Sequence, residues 1–231
     1  MSMMLESLLL IAAGYLIGSI PTAYVVSRWL KGIDLRRYGS GTVSGSMVYE
    51  HVARWAVVPV GLFDIAKAAF PAWLGLRLGL GMPVAAAAGL AAAAGHNWPI
   101  YLRFTGGRGL SCFMGVWLVV FPWGFPWMLA FLAIGWRLGD STLWALVSLI
   151  TLPLLSHLIG GPTVVAPVAG AMLLLTCAKR LEANRRPLPP PGPERRRVIL
   201  RRLLFDRDIA SHPEWINQQP EGRKEKPPPI N

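Results

Sequence analysis

The chain has 231 residues, of which 53% are hydrophobic and only 15% charged, and its mean hydropathy is +0.44. That balance excludes an ordinary soluble domain and marks a membrane protein. The formal net charge of +11 does not imply nucleic acid, because the positive residues are concentrated beyond Ala178 and in short connections between apolar runs, where they orient helices in a bilayer.

The first apolar run, Leu5 to Leu30, exceeds the roughly 20 residues that a helix needs to cross the hydrocarbon. No basic segment precedes it and further apolar runs follow, so Leu8 to Ile20 reads as part of a spanning helix and not as a removed signal peptide. Gly18-Ser19-Ile20-Pro21-Thr22 interrupts the run, and a bilayer tolerates such a break only where neighbouring groups satisfy the freed backbone. The break is either a kink or a ligand-facing opening. A polar connection follows, Lys31 to Arg54, with Arg36, Arg37 and the string Gly39-Ser40-Gly41-Thr42-Val43-Ser44-Gly45-Ser46. It is either a flexible linker or an anion-binding loop.

Trp55 to Leu76 is apolar except for Asp64 and Lys67, which stand three apart and share a helical face. Ionisable groups at membrane depth face a bundle interior or a cavity, so the two form either a structural ion pair or a functional one. Between the apolar runs Val84 to Ala94 and Leu110 to Phe121 lies GHNWPIYLRFTGGRGLS, with His96, Asn97, Arg103, Arg108 and the glycines Gly106, Gly107 and Gly109. Glycines let backbone N–H groups turn towards a ligand, and a guanidinium matches phosphate oxygens, so this is an anion cradle or a tight turn between two helices.

The remaining apolar runs are Phe125 to Trp136, Leu143 to Ile159 and Thr163 to Ala178, several of them short enough to require tilt or polar extension. Pro122, Pro126 and Pro162 mark turns, and tryptophans lie near the run ends. Cys112 and Cys177 sit in apolar surroundings and are too few for a disulfide framework. The fold expected is all-α: a polytopic membrane protein of about seven transmembrane helices, some broken or short, with glycine-rich cytoplasmic loops. With these ends, Arg28, Lys31, Arg36, Arg37, Arg54, Arg103, Arg108, Arg137 and the basic tail fall on one side and only Arg77 on the other. The positive-inside rule then places the amino terminus outside and the carboxyl terminus in the cytoplasm, in a multi-pass protein of the inner (plasma) membrane. No internal repeat points to a transporter.

Past residues 1–180, the transmembrane part, the chain divides into a Pro-rich linker at 181–194, a basic amphipathic segment at 195–217 suited to anionic lipid, and a Pro-rich, charged segment at 218–231 expected to be disordered. The tail leaves room for a protein partner.

Gly18-Ser19-Ile20-Pro21 with Thr22-Ala23-Tyr24, Gly39-Ser40-Gly41, Asp64 with Lys67, Gly95-His96 with Pro99, and Gly106-Gly107-Arg108-Gly109 together resemble the bacterial acyl-phosphate glycerol-3-phosphate acyltransferases. The resemblance covers roughly the first 135 residues. It implies seven helices with cytoplasmic motif loops, and transfer of a fatty acyl group from acyl-phosphate to the 1-hydroxyl of glycerol 3-phosphate, giving lysophosphatidic acid and phosphate. By the same resemblance Ser40, Arg108 and Lys67 are the catalytic candidates. Gly39, Gly41, Thr42, Ser46, His96, Asn97, Gly106, Gly107, Gly109 and Arg137 are the substrate-binding ones. Acyl-phosphate is already activated, so no metal and no cofactor is expected; the partners implied are the two phosphorylated substrates and membrane lipid.

This chain departs from the family pattern at several places. The first loop ends in Glu50 where the family has arginine, Ala68 replaces a glycine, Arg108 stands for a lysine, and Asp140 takes the place of a serine three residues after Arg137. Lys179-Arg180-Leu181-Glu182 is the best match to a His-Arg-x-Asn pattern. Were Glu50 to point inward, its contact with a substrate phosphate would cost on the order of several kcal/mol. The site would then be rewired or catalytically altered, leaving a relative that binds lipid precursors or a partner enzyme, unless Glu50 pairs with His51 or Arg54.

Overall fold

An apolar run with no polar face must be surrounded by protein or by lipid, and both solutions occur here. The computed structural model describes residues 2–218. Its α-helices are α1 (Met3–Gly18), α2 (Thr22–Lys31), α3 (Gly45–His51), α4 (Val57–Arg77), α5 (Met82–Asn97), α6 (Leu110–Val120), α7 (Gly124–Arg137), α8 (Ser141–Leu158), α9 (Val165–Glu182), α10 (Pro193–Phe205) and α11 (His212–Ile216). Among the described residues there is no strand. The expectation of a disordered segment at 218–231 falls outside the described residues except for Gln218.

Three stretches are long and apolar enough to cross a membrane by length and composition: Met3–Lys31, Val57–Arg77 and Ser141–Leu158. The expected helix α6, at Leu110–Val120, is too short to do so. Apart from Leu118, which is exposed, it is largely covered by protein instead. Phe113, Val116 and Trp117 are fully buried and pack with Ala68 of α4, Ala92 and Ala93 of α5, Met128 of α7, Leu149 and Leu152 of α8, and Met172 of α9. A helix enclosed by its neighbours need not match the thickness of the hydrocarbon. Cys112 lies in the same core and both cysteines are free.

The outer surfaces carry Leu8, Leu16, Leu62, Phe70, Leu118, Ile150, Leu154 and Leu174, all exposed, which a protein in water could not sustain and a lipid-facing surface requires. Trp29, Trp55, Trp123 and Trp136 are exposed at or beside helix ends, where amphipathic rings meet the headgroups.

Small residues set the spacing of the inner helices. Gly14 and Gly18 lie one turn apart on α1 and face the alanines of α5: a Cβ on Gly14 would come within 2.5 Å of the Ala88 carbonyl oxygen, and one on Gly18 would collide with the Ala92 backbone. This contact brings the break after α1 against the end of α5, where His96 and Asn97 lie. A second core holds the first glycine-rich loop: Met47, Val48 and Val52 of α3 and its flank pack with Ala23, Leu35, Val43, Val60 and Leu102. The stretch Gly39 to Ser46 is therefore a structured loop and not a linker.

Gly18→Val is expected to force α1 and α5 apart and to cost about 1–3 kcal/mol. Thermal unfolding in detergent checks it: the midpoint falls by several degrees, whereas Gly61→Ala, at a position with open space, leaves it unchanged or raises it.

Candidate functional site

The Pro21 break leaves the Ile20 carbonyl without a full set of helical partners, and Lys67 supplies one. Its Nζ donates to Ile20 O at 3.0 Å and to His96 Nδ1 at 3.0 Å, and lies 2.8 Å from Asp64 Oδ1. One ammonium on α4 thus ties the α1–α2 break to the end of α5. Because Nδ1 of His96 accepts this bond, the ring carries its proton on Nε2. That nitrogen faces Gly107, where any Cβ would run into the ring. Lys67, Asp64 and His96 are each at least nine-tenths buried.

The two glycine-rich loops meet directly. Val43 N–H donates to Gly106 O at 3.2 Å and Gly107 N–H to His96 O at 3.1 Å. In the first loop every second residue bears a hydroxyl, and these form a chain: Ser40 to Thr42 at 2.7 Å, Thr42 to Ser44 at 3.1 Å, Ser44 to Ser46 at 3.0 Å. The chain runs from buried Thr42 out to exposed Ser46. In the second loop Gly109, with φ +73°, stands against Asn97, whose side-chain amide is fully buried with no hydrogen-bond partner among the described residues.

Asn184 joins the two loops and was not among the residues singled out from sequence. Its Nδ2 donates to Gly41 O at 2.9 Å and to Gly106 O at 3.2 Å. Ala183, Asn184 and Arg185 all have positive φ, a left-handed turn that ends α9 and aims the amide at the loops. The available signal was an asparagine just past a helix end, since asparagine tolerates this conformation better than most residues. Its partners, far away in sequence, gave no signal. Beside it, Arg186 donates to Gly39 O at 2.7 Å, and burial holds its guanidinium below the ordinary arginine value.

Arg108 does not stand free. Its Nε donates to Asp206 Oδ2 at 2.7 Å and its Nη1 to Lys179 O at 3.0 Å. The other charged departures from the family pattern are likewise paired or turned outward. Lys179 meets Glu182 at 2.9 Å, Asp140 meets Arg207 at 3.2 Å, and Glu50 is exposed, so the feared clash with a phosphate does not arise. Arg137, expected in the site, is exposed at the end of α7, while Asp140, past the Gly139 turn, is half-buried and caps α8 by accepting from Leu143 N–H. His51 donates from Nε2 to Ile216 O at 3.0 Å; burial holds its ring below the ordinary histidine value, so it is neutral at pH 7.

Between the break and the loops lies a cavity of about 10 Å³, lined by Ser19, Ile20, Val43, Lys67, His96 and Gly106, enough for about one water. Among the described residues no group of three His, Cys, Asp or Glu side chains is placed to hold a metal. The arrangement offers guanidinium, hydroxyl and backbone N–H donors at one mouth, which is a set that recognises phosphate oxygens.

Comparison with known proteins gives the same direction. Residues 8–186 match the family model described as glycerol-3-phosphate acyltransferase. Glycerol-3-phosphate acyltransferase 4 of Dehalococcoides mccartyi (strain CBDB1) is 37% identical over 238 residues, covering 94% of this chain and 96% of its own. The glycerol-3-phosphate acyltransferase of Synechococcus sp. (strain CC9902) is 39% identical over 174 residues, 75% of this chain and 78% of its own. Among solved structures, the glycerol 3-phosphate form of PlsY (YgiH), an integral membrane glycerol 3-phosphate acyltransferase, superposes with a TM-score of 0.69 at 30% identity, covering 78% of this chain and 91% of that one. Its lysophosphatidic acid form gives 0.67 at 28% identity.

Lys67→Met strips a buried carboxylate of its partner, which typically costs about 3–5 kcal/mol. The expected result is a large drop in the unfolding midpoint in detergent, partly recovered in the double variant Asp64→Asn/Lys67→Met. A single variant as stable as the parent would contradict the role given to this ammonium.

Proposed function

The chain belongs to the glycerol-3-phosphate acyltransferase family, and from that premise we propose that it transfers a fatty acyl group from acyl-phosphate to the 1-hydroxyl of glycerol 3-phosphate. The products are lysophosphatidic acid, for phospholipid synthesis, and inorganic phosphate. The hydroxyl oxygen bonds to the acyl carbonyl carbon, the bond from that carbon to the phosphate oxygen breaks, and the hydroxyl proton balances on the released phosphate. Both substrates bring phosphate to one place, so the catalyst needs donors from two sides and little else.

The observation that carries this reading is the joining of the loops at 39–46 and 106–109 by the Val43–Gly106 bond and by Asn184. In our reading Ser40, Thr42 and the Gly39 N–H form one side of the phosphate cradle, and Gly41, bonded to Tyr38 and Asn184, sets the turn that presents them. Arg108, with the N–H groups of Gly106 and Gly109, forms the other and opposes charge developing on the carbonyl oxygen and leaving group, while Gly107, held to His96 O, fixes the course of the loop. Lys67, Asp64 and His96 act as positioning residues: they fix the loop backbone through His96 and Gly107. Asn97, buried without a partner, faces this second loop and is suited to a polar atom of substrate.

The chain is an integral membrane protein. The distribution of arginine and lysine supports an external amino terminus, a cytoplasmic carboxyl terminus and a site opening to the cytoplasm, where phosphorylated substrates are made.

Purified protein in detergent or lipid is expected to release phosphate from acyl-phosphate only when glycerol 3-phosphate is present. Arg108→Ala is expected to lower that rate about 10²–10³-fold, the usual effect of removing a donor to developing negative charge. No glycerol 3-phosphate-dependent release, under conditions where the Synechococcus relative turns over, would overturn the reading.

A further inference from the structure

The family match ends at residue 186, yet the described chain continues to Gln218 and folds back onto the site. Its contacts fall on the groups that a phosphate would need. Asp206, which caps the end of α10 with φ +54°, places one carboxylate oxygen 2.7 Å from Arg108 Nε. The Gly39 N–H of the first loop donates to Gln218 O at 2.8 Å, and His51 donates to Ile216 O. Next to Asp206, Arg207 meets Asp140.

The segment is anchored, not merely adjacent. Arg180, 1% exposed, donates to the carbonyls of Leu203 and Leu204 at the end of α10. Arg202, 2% exposed, pairs with Asp208 at 2.6 Å and donates to Leu181, Arg186 and Pro187 carbonyls. The Arg186 guanidinium lies over the Trp215 ring at 4.2 Å.

We propose that residues 187–218 form an autoinhibitory cap in which the Asp206 carboxylate occupies Arg108 in place of a substrate phosphate, and that phosphate-bearing substrate binds by displacing it. The proposal rests on the phosphate-binding role given to Arg108 above. Two features of the contact favour exchange. Asp206 Oδ1 is buried with no hydrogen-bond partner, so the carboxylate uses only half of its capacity on a guanidinium that can serve two oxygens. A phosphate dianion brings more oxygens and more charge to the same donors, and also to the Gly39 N–H that the tail now holds.

The test uses the full chain in detergent and two probes, glycerol 3-phosphate and inorganic phosphate. Removing a competing internal anion raises the binding-competent fraction, so Asp206→Ala is expected to bind both about tenfold more tightly than the parent and to lower KM for glycerol 3-phosphate by a similar factor, with kcat unchanged or raised. In the parent protein, saturating glycerol 3-phosphate is expected to speed hydrogen exchange across residues 193–216. Equal or weaker binding by a variant that melts like the parent would overturn the proposal, and so would unchanged or slowed exchange. Should the variant fail to fold, the exchange measurement on the parent decides alone. Tighter binding by the variant without acyl transfer by either protein would count against the proposed reaction and leave the cap standing.

Discussion

The Lys67 ammonium, enclosed between α4, the α1–α2 break and the end of α5, is the contact on which the arrangement of the site depends. An unpaired charge at membrane depth is costly, so wherever Lys67 goes its acceptors must follow: the Asp64 carboxylate, the Ile20 carbonyl and the His96 ring. Satisfying this one group fixes the opened backbone at Pro21, the tautomer of His96, and through Gly107 the path of the second glycine-rich loop. The first loop is then registered against the second by backbone hydrogen bonds. The two joined loops are thus held in register by a buried ion pair that lies behind them.

Close backbone approach makes this geometry possible. Lipid supplies no hydrophobic drive between helices, so association depends on packing, and small residues at facing positions let the backbones approach. Gly14 and Gly18 against Ala88 and Ala92 draw α1 onto α5 closely enough for Ile20, Lys67 and His96 to share one cluster. The short α6 shows the complementary solution: covered by other helices over most of its surface, it supplies Phe113 and Trp117 to the core.

The departures from the family pattern acquire a common explanation once their partners are known. Lys179 and Glu182 neutralise each other within α9, Asp140 is answered by Arg207, and Arg108 by Asp206. Two of these three pairs are closed by residues beyond the family match, so the carboxyl-terminal segment and the altered motif positions form one electrostatic unit. Glu50 belongs to no such unit because it points outward.

Much was legible in the linear chain: the membrane class, the helical runs, the break at Pro21, the shared face of Asp64 and Lys67, and both glycine-rich loops. These are local properties, set by hydropathy, by proline and glycine geometry, and by helical spacing. Three things were decided only by tertiary structure. Asn184 became the clasp between the loops, Arg137 was left exposed while Asp140 paired with Arg207, and Arg108 acquired a carboxylate from the tail. Each depends on a partner far away in sequence, or on the direction in which a turn releases the chain. Residue order states that charges and amides are present; only packing selects which of them meet, because pairing energy falls with a distance that the sequence does not contain.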